Sequence, residues 1–145
     1  MLRPEKYDKQ SLPANLSWWA FLKVTFSSFH FIDIRGRASR KEWWVVTSAS
    51  FLLMILSAFI YSFLALFVFD FDYETASLEE LNVFLNIGQA INLFFSIPMM
   101  AVGFRRFHDL GWSGWLSILI IPNFFLPFFK GEIKDNKYGK NIYEN

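Results

Sequence analysis

Cysteine is absent from the 145 residues. That excludes disulfides, a thiol nucleophile and thiolate metal sites. Histidine occurs twice, as His30 and His108, too few for a histidine-rich metal cage. No metal and no cofactor is expected. Charge is scarce as well: 19% of residues are charged against 54% hydrophobic, and 19 residues are phenylalanine. This is apolar-heavy for a soluble domain. The start, residues 1–15, is polar and lacks the basic start, short apolar core and small-residue cleavage site of a signal peptide. It is expected to be retained and partly disordered.

The scarce charges are sorted. From Trp43 to Phe69, 27 positions carry none. About 20 apolar residues suffice to cross a ~30 Å hydrocarbon core, so a first span is expected over 43–69. Residues 70–80 then hold five acids and no base. A second uncharged run, Leu81 to Phe104, predicts a second span over 81–104. Asn82, Asn86, Gln89 and Asn92 recur there at three- and four-residue spacing, so on a helix they share one face. Amides facing hydrocarbon are costly, and this face is expected to meet protein or water. Pro98 is expected to bend the helix.

A third apolar run ends at Phe129. Its helical part, 115–129, is 15 residues, about 22 Å of straight helix, and holds Pro122 and Pro127. It reads as a short third span, with a re-entrant or interfacial path as the alternative. Upstream, Trp18, Trp19, Leu22, Phe26 and Phe29 sit at helix-compatible spacing, which predicts an interfacial amphipathic helix. The fold expected is thus an all-α integral membrane protein: an interfacial helix, about three transmembrane helices within 16–130, and a polar tail over 131–145.

Basic residues orient it. Eight Lys/Arg precede the first span, none follows it directly, and Arg105 and Arg106 follow the second. The positive-inside rule puts the N-terminus and the Arg105 loop in the cytoplasm. The tail conflicts with this. Counted from Lys130, it carries four lysines, yet three spans would send it outside.

Two polar clusters flank the spans. In "GRASRKEWW", Ser39 and Glu42 match a capping box, with Arg40 and Lys41 between them. In "RRFHDLGWSGW", Arg105 and Arg106 suit a helix C-terminus, Gly111 a helix stop and Ser113 a cap for the next helix. Asp109 can pair with Arg105 at i, i+4 or bridge to Arg37 or Arg40. Both clusters fall on one membrane face. Arg35, Arg37, Arg40, Lys41, Arg105, Arg106, His108, Asp109, Trp112 and Trp115 therefore form a candidate surface for anionic lipid headgroups or a protein partner. Nucleic acid is not expected as a partner, because lipid is the nearer phosphate.

"GRASRKEWW", "RRFHDLGWSGW" and "NKYG", in this order, resemble the DUF805 family of small bacterial inner-membrane proteins. Gly36, Arg37, Ser39, Arg40, Glu42, Trp44, Arg105, Arg106, His108, Asp109, Gly111, Ser113, Gly114, Trp115, Asn136, Tyr138 and Gly139 match its pattern, over roughly residues 25–141. The last apolar run is shorter than usual for the family. Only Gly131 remains of a Gly-x-x-Gly before the final motif. The resemblance implies an inner-membrane location and no particular activity.

The function favoured by these residues is a non-enzymatic, lipid-contacting or partner-binding accessory protein, alone or as a homo-oligomer. One alternative is a transporter or channel component with a polar path along Asn82, Asn86, Gln89 and Asn92. Another is a lipid-headgroup enzyme using His108. No nucleophile or metal constellation accompanies that histidine.

Overall fold

The computed structural model describes residues 11–27, 30–68 and 70–143. Most of the polar start, and the side chains of Phe26 and Phe29, lie outside the described residues. Four α-helices are described: α1 (Trp18–Ser27), α2 (Arg40–Phe67), α3 (Leu78–Asp109) and α4 (Ile120–Phe125). No strand occurs among the described residues; Asn136 and Gly139 form an isolated bridge.

Among the described residues two helices, α2 and α3, are long and apolar enough to cross a membrane. The α2 boundary follows from its cap. Ser39 Oγ accepts the Glu42 amide at 3.1 Å, satisfying one of the helix's orphan donors. The reciprocal half of the expected box is not made, because the Glu42 carboxylate turns to Arg105 instead. The α3 start has the full box, one residue pattern the sequence reading passed over. Glu80 Oε2 accepts from the Ser77 amide at 2.9 Å, and Ser77 Oγ accepts from the Glu80 amide at 3.3 Å. Before it, Asp72 accepts from the Glu74 amide and the Thr75 hydroxyl, and these bonds hold its carboxyl below the usual range.

At its other end α3 runs five residues past the expected Phe104, with Pro98 inside it. It stops in a Schellman motif. Gly111 takes φ +75, its amide bonds the His108 carbonyl, and the Trp112 amide reaches back to the Phe107 carbonyl. The accompanying apolar contact is Trp112 stacked on Phe107.

The third run does not form one helix. It is a 3-10 turn (Gly114–Ile118), the six-residue α4, and a second 3-10 turn (Leu126–Phe128). Pro122 and Pro127 remove two ladder donors. The Asn123 side-chain amide takes the Ser117 and Leu119 carbonyls instead. Ser113 makes no side-chain cap, correcting its expected role; its backbone carbonyl starts the 3-10 turn by accepting the Leu116 amide. The run also returns to where it began. Ser117 Oγ reaches the Met100 carbonyl at 3.4 Å, while Phe129 is back beside Trp112 and gives its carbonyl to Arg106. Met100 lies nine residues before Asp109, so the excursion along α3 is about 13 Å.

The chain divides into two compact units. One, residues 49–96, holds residues 49–67 of α2 and 78–96 of α3. There Tyr61 stacks on Phe84 and its hydroxyl donates to the Phe84 carbonyl at 2.9 Å. The other, residues 1–48 and 97–145, has the apolar core: Ala38, Trp43, Val46, Val102, Phe107 and Leu126.

Candidate functional site

The polar clusters meet inside the second of these units. Gly36, at φ +82, turns the chain so that Arg37 enters the interior just before α2. The extra length of α3 carries Arg105, Arg106 and Asp109 to the same place. All five of Arg37, Glu42, Arg105, Arg106 and Asp109 are fully buried. Arg37, Arg105 and Arg106 are therefore not part of an exposed lipid surface, which corrects their expected placement. The physical reason is that their carboxylate partners, Glu42 and Asp109, lie in the interior and hold them there.

Asp109 is the hub. Its Oδ1 accepts from Arg37 Nε at 3.0 Å and lies 2.8 Å from Arg37 Nη2. Its Oδ2 accepts from Arg106 Nη1 and, at 2.6 Å, from the Tyr143 hydroxyl. The expected i, i+4 partner Arg105 is not used; Arg106 at i, i+3 is. The remaining Arg37 donors go to tail carbonyls: Nη1 to Lys134 at 2.7 Å and Lys140 at 3.2 Å, and Nη2 to Glu132. Arg106 adds the Phe129 and Ala38 carbonyls and Tyr143 Oη. The tail is thus a strap tied across the ends of α2 and α3. Burial, and then the adjacent Asp109 charge and hydrogen bond, push the Tyr143 phenol up to about 12.

Arg105 makes the second pair. Its Nη1 donates to Glu42 Oε1 and meets His30 Nε2. His30 Nε2 also lies 3.4 Å from Glu42 Oε1. Arg105 Nε and Nη2 and Glu42 Oε2 have no hydrogen-bond partner. Three guanidiniums face two carboxylates. Arg37 and Arg106 place further donors on backbone carbonyls, whose dipoles offset part of the surplus charge.

His108 is held rather than presented. Nδ1 lies 3.1 Å from the Gly36 carbonyl, an acceptor only, so Nδ1 carries the proton. Its ring stacks on Tyr138 at 3.8 Å. Tyr138 sits in the "NKYG" turn, where Asn136 Oδ1 accepts the Tyr138 amide and Asn136 Nδ2 donates to the His108 carbonyl at 2.9 Å. A hollow of about 280 Å³ lies beside it, lined by Arg35, Phe104, His108, Ser113 and Trp115 among others.

The other expected surface residues stay outside. Arg35 is exposed and paired with Asp33 at 3.0 Å. Burial raises the Asp33 carboxyl, but the Arg35 hydrogen bonds outweigh it and hold it low. Arg40 is exposed. Lys41 is half-buried, donating to the Leu16 carbonyl over the rings of Trp18 and Phe21, and so ties α1 to α2. Trp112 and Trp115 are exposed. Asn82, Asn86 and Gln89 are exposed on α3, while Asn92 is half-buried and donates to the Gly88 carbonyl at 3.1 Å.

The sequence reading missed His30, Gly131 and Tyr143. His30 stands apart from both motifs. For Tyr143 the signal was a lone tyrosine just beyond "NKYG". No group of metal-ligating side chains occurs among the described residues.

No curated protein and no solved structure matches the chain. The family model described as a protein of unknown function, DUF805, matches residues 31–140. That span contains every member of the buried charge cluster except His30 and Tyr143. The matched residues make up most of the chain, and the chain belongs to the DUF805 family, for which no activity is established.

Proposed function

We propose that the chain is a non-enzymatic accessory protein of the bacterial inner membrane that contacts anionic lipid at its cytoplasmic face. On this reading α2 and α3 are its two crossings, and the 114–128 run is re-entrant. The observation that carries it is the strap. Arg37 before α2, Arg106 and Asp109 at the end of α3, and the carbonyls of Glu132, Lys134 and Lys140 are bonded together. Groups in direct contact lie on one side of a bilayer. The Ala14 amide also donates to the Ile142 carbonyl at 3.1 Å, which supports both ends of the described chain lying on that side. Two crossings place the four tail lysines with the other basic residues, so the conflict left by three crossings disappears.

With the buried arginines turned inward, the lipid-facing set is Trp44, Trp112, Trp115 and Arg40, all exposed. Tryptophan suits the headgroup level, and one arginine near an anionic leaflet gains about 1 kcal/mol. His108, with Nδ1 on the Gly36 carbonyl and its ring stacked on Tyr138, ties the end of α3 to the turn before α2 and to the tail.

A reporter fused after Asn145 is expected to read cytoplasmic, and one inserted at Glu74 to read external. Opposite sides for Asn145 and a cytoplasmic N-terminal fusion would refute the two-span reading. For lipid, native mass spectrometry of gently purified protein is the measurement. Arg40→Gln combined with Trp44→Leu is expected to lower bound anionic lipid about fivefold or more. An unchanged lipid complement would remove the lipid role.

A further inference from the structure

We infer that the exposed face of α3 pairs with α3 of a second copy of this chain, through Asn82, Asn86 and Gln89. The inference rests on α3 crossing a membrane and goes beyond the lipid reading, which can fail without it.

One face of α3 is occupied. Phe84 lies under Tyr61, and Gly88 packs against the Tyr61 ring, where an added Cβ would come within 3.3 Å. The other face is not. Asn82, Asn86, Gln89 and Leu93 are all exposed, Leu93 at 67%, with Ser96 the next member of the row. Their spacing of 4, 3, 4 and 3 is that of the a and d positions of a helix pair. At about 100° per residue Asn86 and Leu93 lie well away from Gly88, while Gln89 stands at the edge of the row, where it also lines a hollow with Ser57, Ala58 and Asn92.

The three amides have no hydrogen-bond partner among the described residues, unlike Asn92, which donates to the Gly88 carbonyl. Asn86 and Gln89 lie six and nine residues beyond Glu80, about 9 and 13 Å along the helix. The headgroup zone is only some 5–8 Å deep on each side, so both fall within hydrocarbon. A carboxamide has two donors and an acceptor there and no water to use. The partner must supply both kinds of group at matching spacing. A second α3 does so without any further requirement, because a row of amides is complementary to itself, and two-fold pairing sets equivalent rows side by side. A cationic or anionic partner helix would fit one half of each amide and leave the other unpaired. Ser96 adds a small residue, its hydroxyl turned back to the Leu93 carbonyl at 2.7 Å.

The lack of cysteine makes the test clean. Leu93→Cys lies on the row, and Ile87→Cys, also exposed, lies off it. The full chain in native membranes is oxidised, and products are resolved without reductant. The expected product of Leu93→Cys is a species of twice the chain mass, about fivefold or more above that of Ile87→Cys. Adding Asn86→Leu and Gln89→Leu to Leu93→Cys should lower it about tenfold. Both are exposed and unbonded among the described residues, so their replacement removes nothing that holds the fold. Alkaline carbonate extraction of each sample reports insertion separately. Equal linkage from both positions, no linkage from Leu93→Cys, an adduct to a different protein, or a yield that survives both leucines overturns the inference. So does release of the chain into carbonate, since no amide would then face hydrocarbon.

Discussion

Asp109→Ala is expected to destabilise the folded protein by about 3–5 kcal/mol. The side chain is small, and its methylene contributes little. The loss comes from what it leaves behind. Arg37 and Arg106 are fully buried on either side of it, and Tyr143 donates to it. Removing the carboxylate leaves two buried guanidiniums facing one another with only carbonyl dipoles for compensation. Breaking a buried pair from one side is costly for this reason, even where the intact pair contributes little net stability. Asp109→Asn keeps the shape and one of the two acceptor oxygens but not the charge, and should fall between alanine and the parent. The measurement is denaturant or thermal unfolding of the detergent-solubilised chain, supported by protease resistance of the tail. Tail cleavage should accelerate in Asp109→Ala, because the carbonyls of Glu132, Lys134 and Lys140 are held by the arginine that Asp109 orients. A loss below about 1 kcal/mol would mean that water or lipid phosphate replaces the carboxylate, and that the cluster is not closed.

Much of this architecture was legible in the sequence, for physical reasons that differ between its parts. The two long helices were legible because a charge-free run of more than 20 residues has few other folded uses. The stop at Gly111 was legible because the turn needs φ > 0. The direction of the arginines was not. Arg105 and Arg106 at the end of an apolar run look the same whether they reach headgroups or fold inward. The choice between them depends on acceptors distant in the chain: Glu42, 63 positions from Arg105, and the tail carbonyls near residues 129–140. Backbone carbonyls leave no trace in a sequence, since every residue has one. The third run misled for a related reason. Its hydropathy suited a span, but its path was decided by Pro122, Pro127 and by Asn123, whose amide takes two carbonyls that a longer helix would have used.

Gly131 is the last member of the cluster, and its role is spatial. Its φ is not among the positive ones, so its backbone would accept a side chain. The room would not. A Cβ built there would overlap the Asp109 carboxylate and stand 2.5 Å from the Tyr143 hydroxyl. Neither neighbour is free to move: Asp109 is held by Arg37, Arg106 and Tyr143, and Tyr143 by Asp109 and Arg106. Gly131→Ala is therefore expected to cost about 1–3 kcal/mol, toward the upper end, by forcing the strap away from α3. The clash predicts a sign for the coupling as well. Once Asp109 is alanine, the methyl at position 131 has space, so the pair should destabilise less than the sum of the two single changes by about 1 kcal/mol or more. Strict additivity would place the Gly131 effect elsewhere in the tail. Gly131→Ala within about 0.5 kcal/mol of the parent would show that residues 130–134 do not press on the carboxylate at all. The cycle also separates two descriptions of the strap. If the tail is merely laid over a finished cluster, loosening it at position 131 leaves Arg37 and Arg106 paired and dry. If the tail completes the cluster, the same methyl admits water to Asp109, and the Tyr143 phenol should titrate closer to its ordinary value than to about 12.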